Sequence, residues 1–472
     1  MPLLGSRFIA LSAGLFTLLA SIAYTLVITR RLSTGDLAVL TAVNTALGVA
    51  FAFMGYITTW YPRLLSREPQ RYNELIAADF MASVISWALY AIYLVLIGVW
   101  DVALFAIGYF IILLNSWPAG AYLSIYKQRL SGVLTFISQI IKIIGAFLIR
   151  NNPTVYLVLL INMAMSLPTF LSKVARPNFT QAVRFLKMAV KGAPYQTLLL
   201  LVSFANAGII YVIQTGGGSV MLAYYYLLFQ ITKTVYPSWI LTSLMYGSLL
   251  KEEDKTRRAL LDGAIIIYIH LLVASIMMKT PEWYVALLRP SELDNKELLD
   301  AVKFNAIALV IGSFSLHSNT VLLGVEKNIV ITLKDKPARA AIYDLATSFL
   351  IIFLMHYAVS IKGAVGMVLV FAIWSALSTT YKIFLLGREY YDIVTKLYVP
   401  SFLVIVAMYL TPLPLLPYST EDVISSIVTY IPNSIIIALT TLLYFYVSSK
   451  PARIIVNKLL KEIINILKRR SN

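Results

Sequence analysis

Two lysines stand where lysine is costly. Lys142 closes the run Ser131-Gly132-Val133-Leu134-Thr135-Phe136-Ile137-Ser138-Gln139-Ile140-Ile141-Lys142, in which Ser131, Thr135, Ser138, Gln139 and Lys142 recur at intervals that place them on one helix face. Lys233 shares a second such face with Tyr226, Gln230, Thr234 and Pro237. Both runs belong to apolar stretches of about 20 residues, the length that crosses hydrocarbon. At 1.5 Å per residue, Lys142 lies about nine residues into its stretch and Lys233 about fourteen from the nearest turn, so both fall near mid-membrane. A lysine facing lipid there costs at least about 2.5 kcal/mol, and each is expected to face water, a ligand or a partner. An ammonium group flanked by hydroxyl and amide donors suits an anionic group, and lysine is a competent point-charge partner for phosphate.

The alternative for each lysine is snorkelling to an interface or pairing with an acid on another helix. Asp344 is the expected partner. It reads as the only carboxylate well inside an apolar stretch, with Thr347 and Ser348 on its face, fit either to neutralise a lysine or to carry a coupling proton or sodium ion. His317 shares a face with Ser313, Thr320 and Gly324 and is a candidate for the same path, while His270 stands nearly alone and reads as packing. Asn44, with Ser12, Ser21, Thr45 and Gly48, either permits close helix packing or faces an aqueous cleft. The expected binding set is therefore Lys142, Lys233, Gln139, Gln230, Asn44 and His317, with Asp344 as the coupling position.

The elements that must position these residues are membrane spans. Hydrophobic residues make up 59% of the 472-residue chain and charged ones 13%, about half the charged fraction of a soluble domain. Apolar runs start near Phe8, Leu37, Ile76, Val102, Val133, Thr154, Tyr195, Val220, Leu260, Phe304, Ala340, Gly363, Val399 and Ile424, which predicts an all-α polytopic protein of about fourteen spans. The first run is too long for a signal-peptide core and is kept as a span. Assigning loops alternately puts 29 of the 39 lysines and arginines on one side and 8 on the other, with Lys142 and Lys233 left inside spans. That asymmetry predicts a cytoplasmic-membrane protein with both termini in the cytoplasm. It also accounts for the net charge of +17 without a nucleic-acid partner.

Residues 176–194 interrupt the spans with a helix pattern of two faces: Phe179, Val183, Leu186 and Val190 against Arg184, Lys187 and Lys191. Asn178 can cap its start, and Gly192 with Pro194 ends it. It reads as a strap joining two lobes, 1–175 and 195–390. The second lobe repeats the opening of the first: Tyr195–Gln214, a Gly216-Gly217-Gly218-Ser219 turn, then a long helix. Residues 391–449 read as an appended helical pair and 450–472 as a basic amphipathic tail on the anionic leaflet. Lys279–Lys303 reads as a solvated cover. With no cysteine, three scattered histidines and no phosphate loop or nucleophile elbow, no metal site, cofactor or hydrolytic activity is expected, and nothing demands more than a monomer.

At this point the chain resembles the polysaccharide and lipid-linked oligosaccharide flippases of the multidrug/oligosaccharidyl-lipid/polysaccharide (MOP) exporter superfamily. The resemblance is carried by Thr29-Arg30-Arg31-Leu32-Ser33-Thr34-Gly35-Asp36, Ala223-Tyr224-Tyr225, Leu323-Gly324-Val325-Glu326-Lys327 and Ile361-Lys362-Gly363-Ala364-Val365-Gly366, from Arg7 to about Arg388. The chain departs in having Ala38 and Val39 where a glycine is usual after Asp36, and in an extended segment Asn328–Arg339. The resemblance implies two six-helix lobes around a central cavity, alternating access, and a polyprenyl- or dolichyl-phosphate or pyrophosphate glycan as cargo. It also implies that Lys142 and Lys233 hold the phosphate. A MATE-like multidrug or cation antiporter is the alternative within the same superfamily, disfavoured by the scarcity of carboxylates inside the spans. A membrane glycosyltransferase would need catalytic groups on a substantial external loop.

Overall fold

The structure is a computed structural model. It describes residues 2–58, 61–65, 68–99, 116–123, 126–173, 175–235, 238, 241–242, 245–246, 249, 254–326 and 331–470. All regular elements among them are helices: α1 (Pro2–Arg31), α2 (Thr34–Thr58), α3 (Tyr61–Leu65), α4 (Tyr72–Leu96), α5 (Gln128–Asn151), α6 (Val155–Ser172), α7 (Phe179–Ala189), α8 (Ala193–Thr232), α9 (Lys255–Lys279), α10 (Pro281–Leu288), α11 (Lys296–Val325), α12 (Lys336–Leu386), α13 (Val399–Leu410), α14 (Val423–Ser448) and α15 (Lys450–Arg470). Both α8 and α12 are broken into two arms, at Gly218 and Gly363. Counting each arm separately, thirteen of the fourteen expected spans occur in order among the described residues. The span from Val102 lies outside them, as do Pro237, Lys327 and Asn328.

Glycine makes the breaks because φ is 68° at Gly218 and 51° at Gly363, where an L side chain is strained. At Gly363 the turn is also tied from outside. Glu297, in the first turn of α11, accepts a hydrogen bond from Ala364 N at 2.7 Å and caps the second arm of α12. A Cβ on Gly363 would lie 1.9 Å from Glu297 Oε1, and one on Gly366 would lie 2.2 Å from Ala358 O. The Ile361–Gly366 motif is thus a helical hairpin closed too tightly for side chains. The stretch Lys279–Lys303 is accordingly more than a solvated cover: it holds this cap and α10, whose residues Tyr284 to Leu288 are buried.

The chain divides into two compact units. The first takes in α1 to α7, α8 through Leu227 and residues 348–356 of α12. Its core has three parts. One packs Tyr24, Ile28 and Leu32 of α1 with Ala146 and Ile149 of α5, Val158 of α6 and Tyr226. Another packs Ala46 and Ala50 of α2 against Tyr90 and Leu94 of α4 and Leu159 of α6. In the third, Ala182, Phe185 and Ala189 of α7 close over Met54, Tyr61, Leu75 and Ala78.

That docking uses a different face of the strap from the Phe179, Val183 and Val190 face, which the sequence pattern assigns to a membrane interface. Phe179, Val183 and Val190 are exposed, and the face that seals against α4 is built largely from alanine, which lets the backbones approach.

The second unit holds the rest of α8 and α12 with α9, α10, α11 and α13 to α15. Its axis is α9, whose Ile266, Ile267, Leu271 and Ala274 are fully buried and which packs on α11, α13 and α14. The tail helix α15 occurs as expected.

Replacing Gly363 by Ala should lower stability by at least about 1 kcal/mol, the left-handed penalty alone. The control is Gly48→Ala, at a helical site with nothing within 4 Å of the added carbon, which should be neutral or stabilising. Thermal unfolding of the purified protein compares the two; equal midpoints would refute the tight-hairpin account.

Candidate functional site

In the first unit, the polar stripe of α5 turns toward α1 and α6. Ser138 Oγ donates to Met165 O at 2.7 Å, and Gln139 is buried with its Oε1 lacking a partner. The half-buried Lys142 donates from Nζ to Ser21 Oγ at 2.8 Å and lies 5.4 Å from the centre of the Tyr24 ring. Tyr24 OH is within 3.3 Å of Val158 O and 3.4 Å of Asn162 Oδ1, which fixes the ring beside the ammonium. Ser21 is thus a small polar residue of α1 that meets a candidate lysine. Asn44 is exposed on α2.

In the second unit, Lys233 opens the 3-10 turn Lys233–Val235 that follows α8. Its side chain is exposed, with Nζ 4.8 Å from the Phe229 ring centre, and among the described residues it makes no hydrogen bond or ion pair. One turn earlier Gln230 is buried, with Nε2 unpartnered. An ammonium with no internal bond among the described residues, one turn from an unused amide donor, is chemistry suited to an anionic group.

Asp344 makes its ion pair with a different lysine. Its Oδ2 lies 3.1 Å from Nζ of Lys382, and its Oδ1 accepts from Ser378 Oγ at 2.7 Å. Lys382 also donates to Ser378 Oγ at 2.7 Å and Ser315 Oγ at 3.4 Å, joining α11 to both arms of α12. The pair is largely buried, with side-chain exposures of 6% for Lys382 and 20% for Asp344. Lys382 is thus a third lysine inside a helix of spanning length, counted from the sequence as a flanking charge because it stands four residues before the end of α12.

His317 is fully buried, its ring pressed against Gly263, where a Cβ would lie 2.3 Å from Nε2. Nε2 is 3.0 Å from Ala259 O and Nδ1 is 2.7 Å from Tyr398 OH. Tyr398 ends the π-helical turn Val394–Tyr398, a local widening that aims its hydroxyl at the histidine. Both ring nitrogens of His317 are therefore engaged, and the ring pins α11 to α9. His270 is buried with Nδ1 on Ile266 O.

With this geometry in hand, comparison with known proteins places the fold. No protein-family model matches the chain, and no curated protein sequence matches it. Among solved structures it is similar to lipid II flippase MurJ in an inward closed conformation, with a TM-score of 0.66 at 12% identity over 92% of this chain and 98% of that one. It is also similar to a multidrug resistance MATE family transporter of the MOP superfamily. The inward-facing conformation gives a TM-score of 0.55 at 15% identity, covering 85% of this chain and 98% of that one. The outward-facing conformation gives 0.53 at 15% identity, over 86% and 95%. The chain shares the fold of these structures.

Within that fold, a further group went unread in the sequence. Asp79 of α4 is fully buried and accepts from Tyr61 OH at 2.9 Å, so Asp344 is not the only carboxylate inside an apolar helix. Its position in the second turn of α4, after Arg71 and Glu74, resembles a flanking charge in the sequence.

Removing the ammonium from the Asp344–Lys382 pair leaves a mostly buried carboxylate without its cation. Lys382→Ala should therefore destabilise by about 3–5 kcal/mol, and adding Asp344→Asn should recover most of that loss. Unfolding midpoints of the two single variants and the double variant measure the coupling. Additive losses would show that the pair does not act as a unit.

Proposed function

We propose that this protein carries the anionic head group of a lipid-linked glycan across the cytoplasmic membrane by alternating access, the lipid tail staying in the bilayer. The observation that carries this reading is Lys233. It is an exposed ammonium, without hydrogen bond or ion pair among the described residues, at the end of an apolar helical arm and one turn from the unused amide of Gln230. A charge held in that way has no structural bond to make and is available to phosphate. Within the N-terminal lobe, Lys142 on Ser21 is a further candidate for an anionic group, with Gln139 and Asn44 as polar groups of that lobe; in the other lobe His317 fixes α11 against α9.

Two lobes, 1–175 and 195–390, moving about the strap would provide the access change. The excess of basic residues on one set of loops supports cytoplasmic termini. The flippase named among the structural neighbours supports a lipid-linked cargo over a soluble one. A MATE-like antiporter would need an ionised carboxylate open to its cation. Asp344 instead holds the ammonium of Lys382, so a coupling proton or sodium ion acting there would have to displace that internal cation.

In proteoliposomes, Lys233→Ala and Lys142→Ala should each slow translocation of a polyprenyl-phosphate glycan by roughly tenfold or more, the loss of one hydrogen bond to a charged group. Undiminished rates in both variants would remove the assigned role of the lysines.

A further inference from the structure

Asp79 is used by none of the sites above. It is fully buried next to the third core cluster of the first unit, to which Tyr61 and Ala78 belong; its Oδ1 accepts from Tyr61 OH at 2.9 Å, and its Oδ2 has no hydrogen-bond partner. The described residues hold no lysine, arginine or histidine within ion-pair distance. The titratable groups facing it are Tyr61 from α3 and Tyr72 from its own helix. Behind Tyr72, the Lys173 ammonium lies 4.3 Å from that ring and 3.0 Å from the ring of Tyr122. Arg71, at the start of α4, is engaged with Glu68 and Glu74. From α2 the cluster receives Met54 and Ile57, with Tyr56 packed against it, and from α7 Ala182, Phe185 and Ala189; of these only Tyr56 titrates.

Among the described residues, the one that bonds the carboxyl is itself held against α7. The Tyr61 ring, itself buried, lies 5.9 Å from the ring of Phe185, which is fully buried on α7. Asn178 tethers the start of α7 by donating its N–H to Asn73 O at 3.0 Å, and its side chain caps the helix by accepting from Gln181 N at 3.1 Å. The other end of α7 runs through the turn Val190–Gly192 straight into α8, so a shift of α7 is passed directly to that helix.

We propose that Asp79 is a proton-binding site, and that the presence of the proton decides whether α7 stays docked over it. An ionised carboxylate enclosed here with a single hydrogen bond and, among the described residues, no counter-ion costs several kcal/mol. Taking a proton from bulk water onto Oδ2 removes that cost while the cover is closed. Returning the proton to water is favourable only when water also reaches the carboxylate, which requires Phe185 and Tyr61 to move aside. Proton release and undocking of α7 are therefore linked reciprocally.

The absence of cysteine makes the test direct. A single cysteine replaces the buried Ala182 (A182C) or its exposed neighbour Gln181 (Q181C) in the full-length protein, and the rate of labelling by a hydrophilic thiol reagent is followed from about pH 5 to 8. The A182C/Q181C ratio cancels the intrinsic pH dependence of the thiol. With Asp79 present the ratio should rise with pH, by up to about tenfold per unit for one linked proton. In Asp79→Asn it should stay at its low value throughout. A ratio flat with pH in the parent, an unchanged rise in Asp79→Asn, or a high ratio in that variant at all pH values would each overturn the proposal. Should Asp79→Asn fail to fold, Tyr61→Phe removes the hydrogen bond that holds the carboxyl in the docked state and should move the transition to lower pH. An unmoved transition would overturn the proposal equally.

Discussion

Hydrocarbon contains no water to satisfy a polar group, so every donor, acceptor and charge inside a spanning helix has to be met by the protein or by something that enters. The polar side chains of this fold's apolar helices divide along that line. His317 has both ring nitrogens engaged, and Lys382 meets Asp344, Ser378 and Ser315. These groups bind helices together. Lys233, the amide of Gln230 and one oxygen of Asp79 are left over, and polar groups left unmet inside an apolar protein are where water, protons or cargo act.

The same constraint explains the emphasis on small residues at helix contacts. With little hydrophobic drive between helices in lipid, association relies on close approach, as at Gly145 against Ile161 or Gly263 against His317. Hairpins closed by a single glycine let two arms run back on each other without an unsatisfied loop. At Gly363 the freed backbone N–H of Ala364 is answered by Glu297 from a distant helix. The strap helix α7 joins this scheme from the side, sealing with alanine and one phenylalanine and leaving a second apolar face outward.

Much of this was legible in the chain. Span lengths, the order of elements, the strap, the tail and the two broken hairpins follow from hydrophobic run length and glycine placement, which are local properties. What was missed is non-local or resembles its surroundings. Lys382 and Asp79 stand within two turns of helix ends, where cationic and acidic flanks are ordinary, and only their partners across the fold mark them as buried. The docked face of α7 was hidden because alanine carries little hydrophobic weight beside Phe179 and Val183. The bond between Glu297 and Ala364 links residues 67 positions apart, and nothing in either local pattern announces it.

The account as a whole rests on a fixed positive charge choosing an anionic head group. The most direct measurement compares translocation of two lipids with the same prenyl chain and the same sugar, one joined through phosphate and the other through a neutral ether. Selection by charge predicts that the phosphate-linked lipid moves roughly ten times faster or more. Equal rates for the two would contradict it.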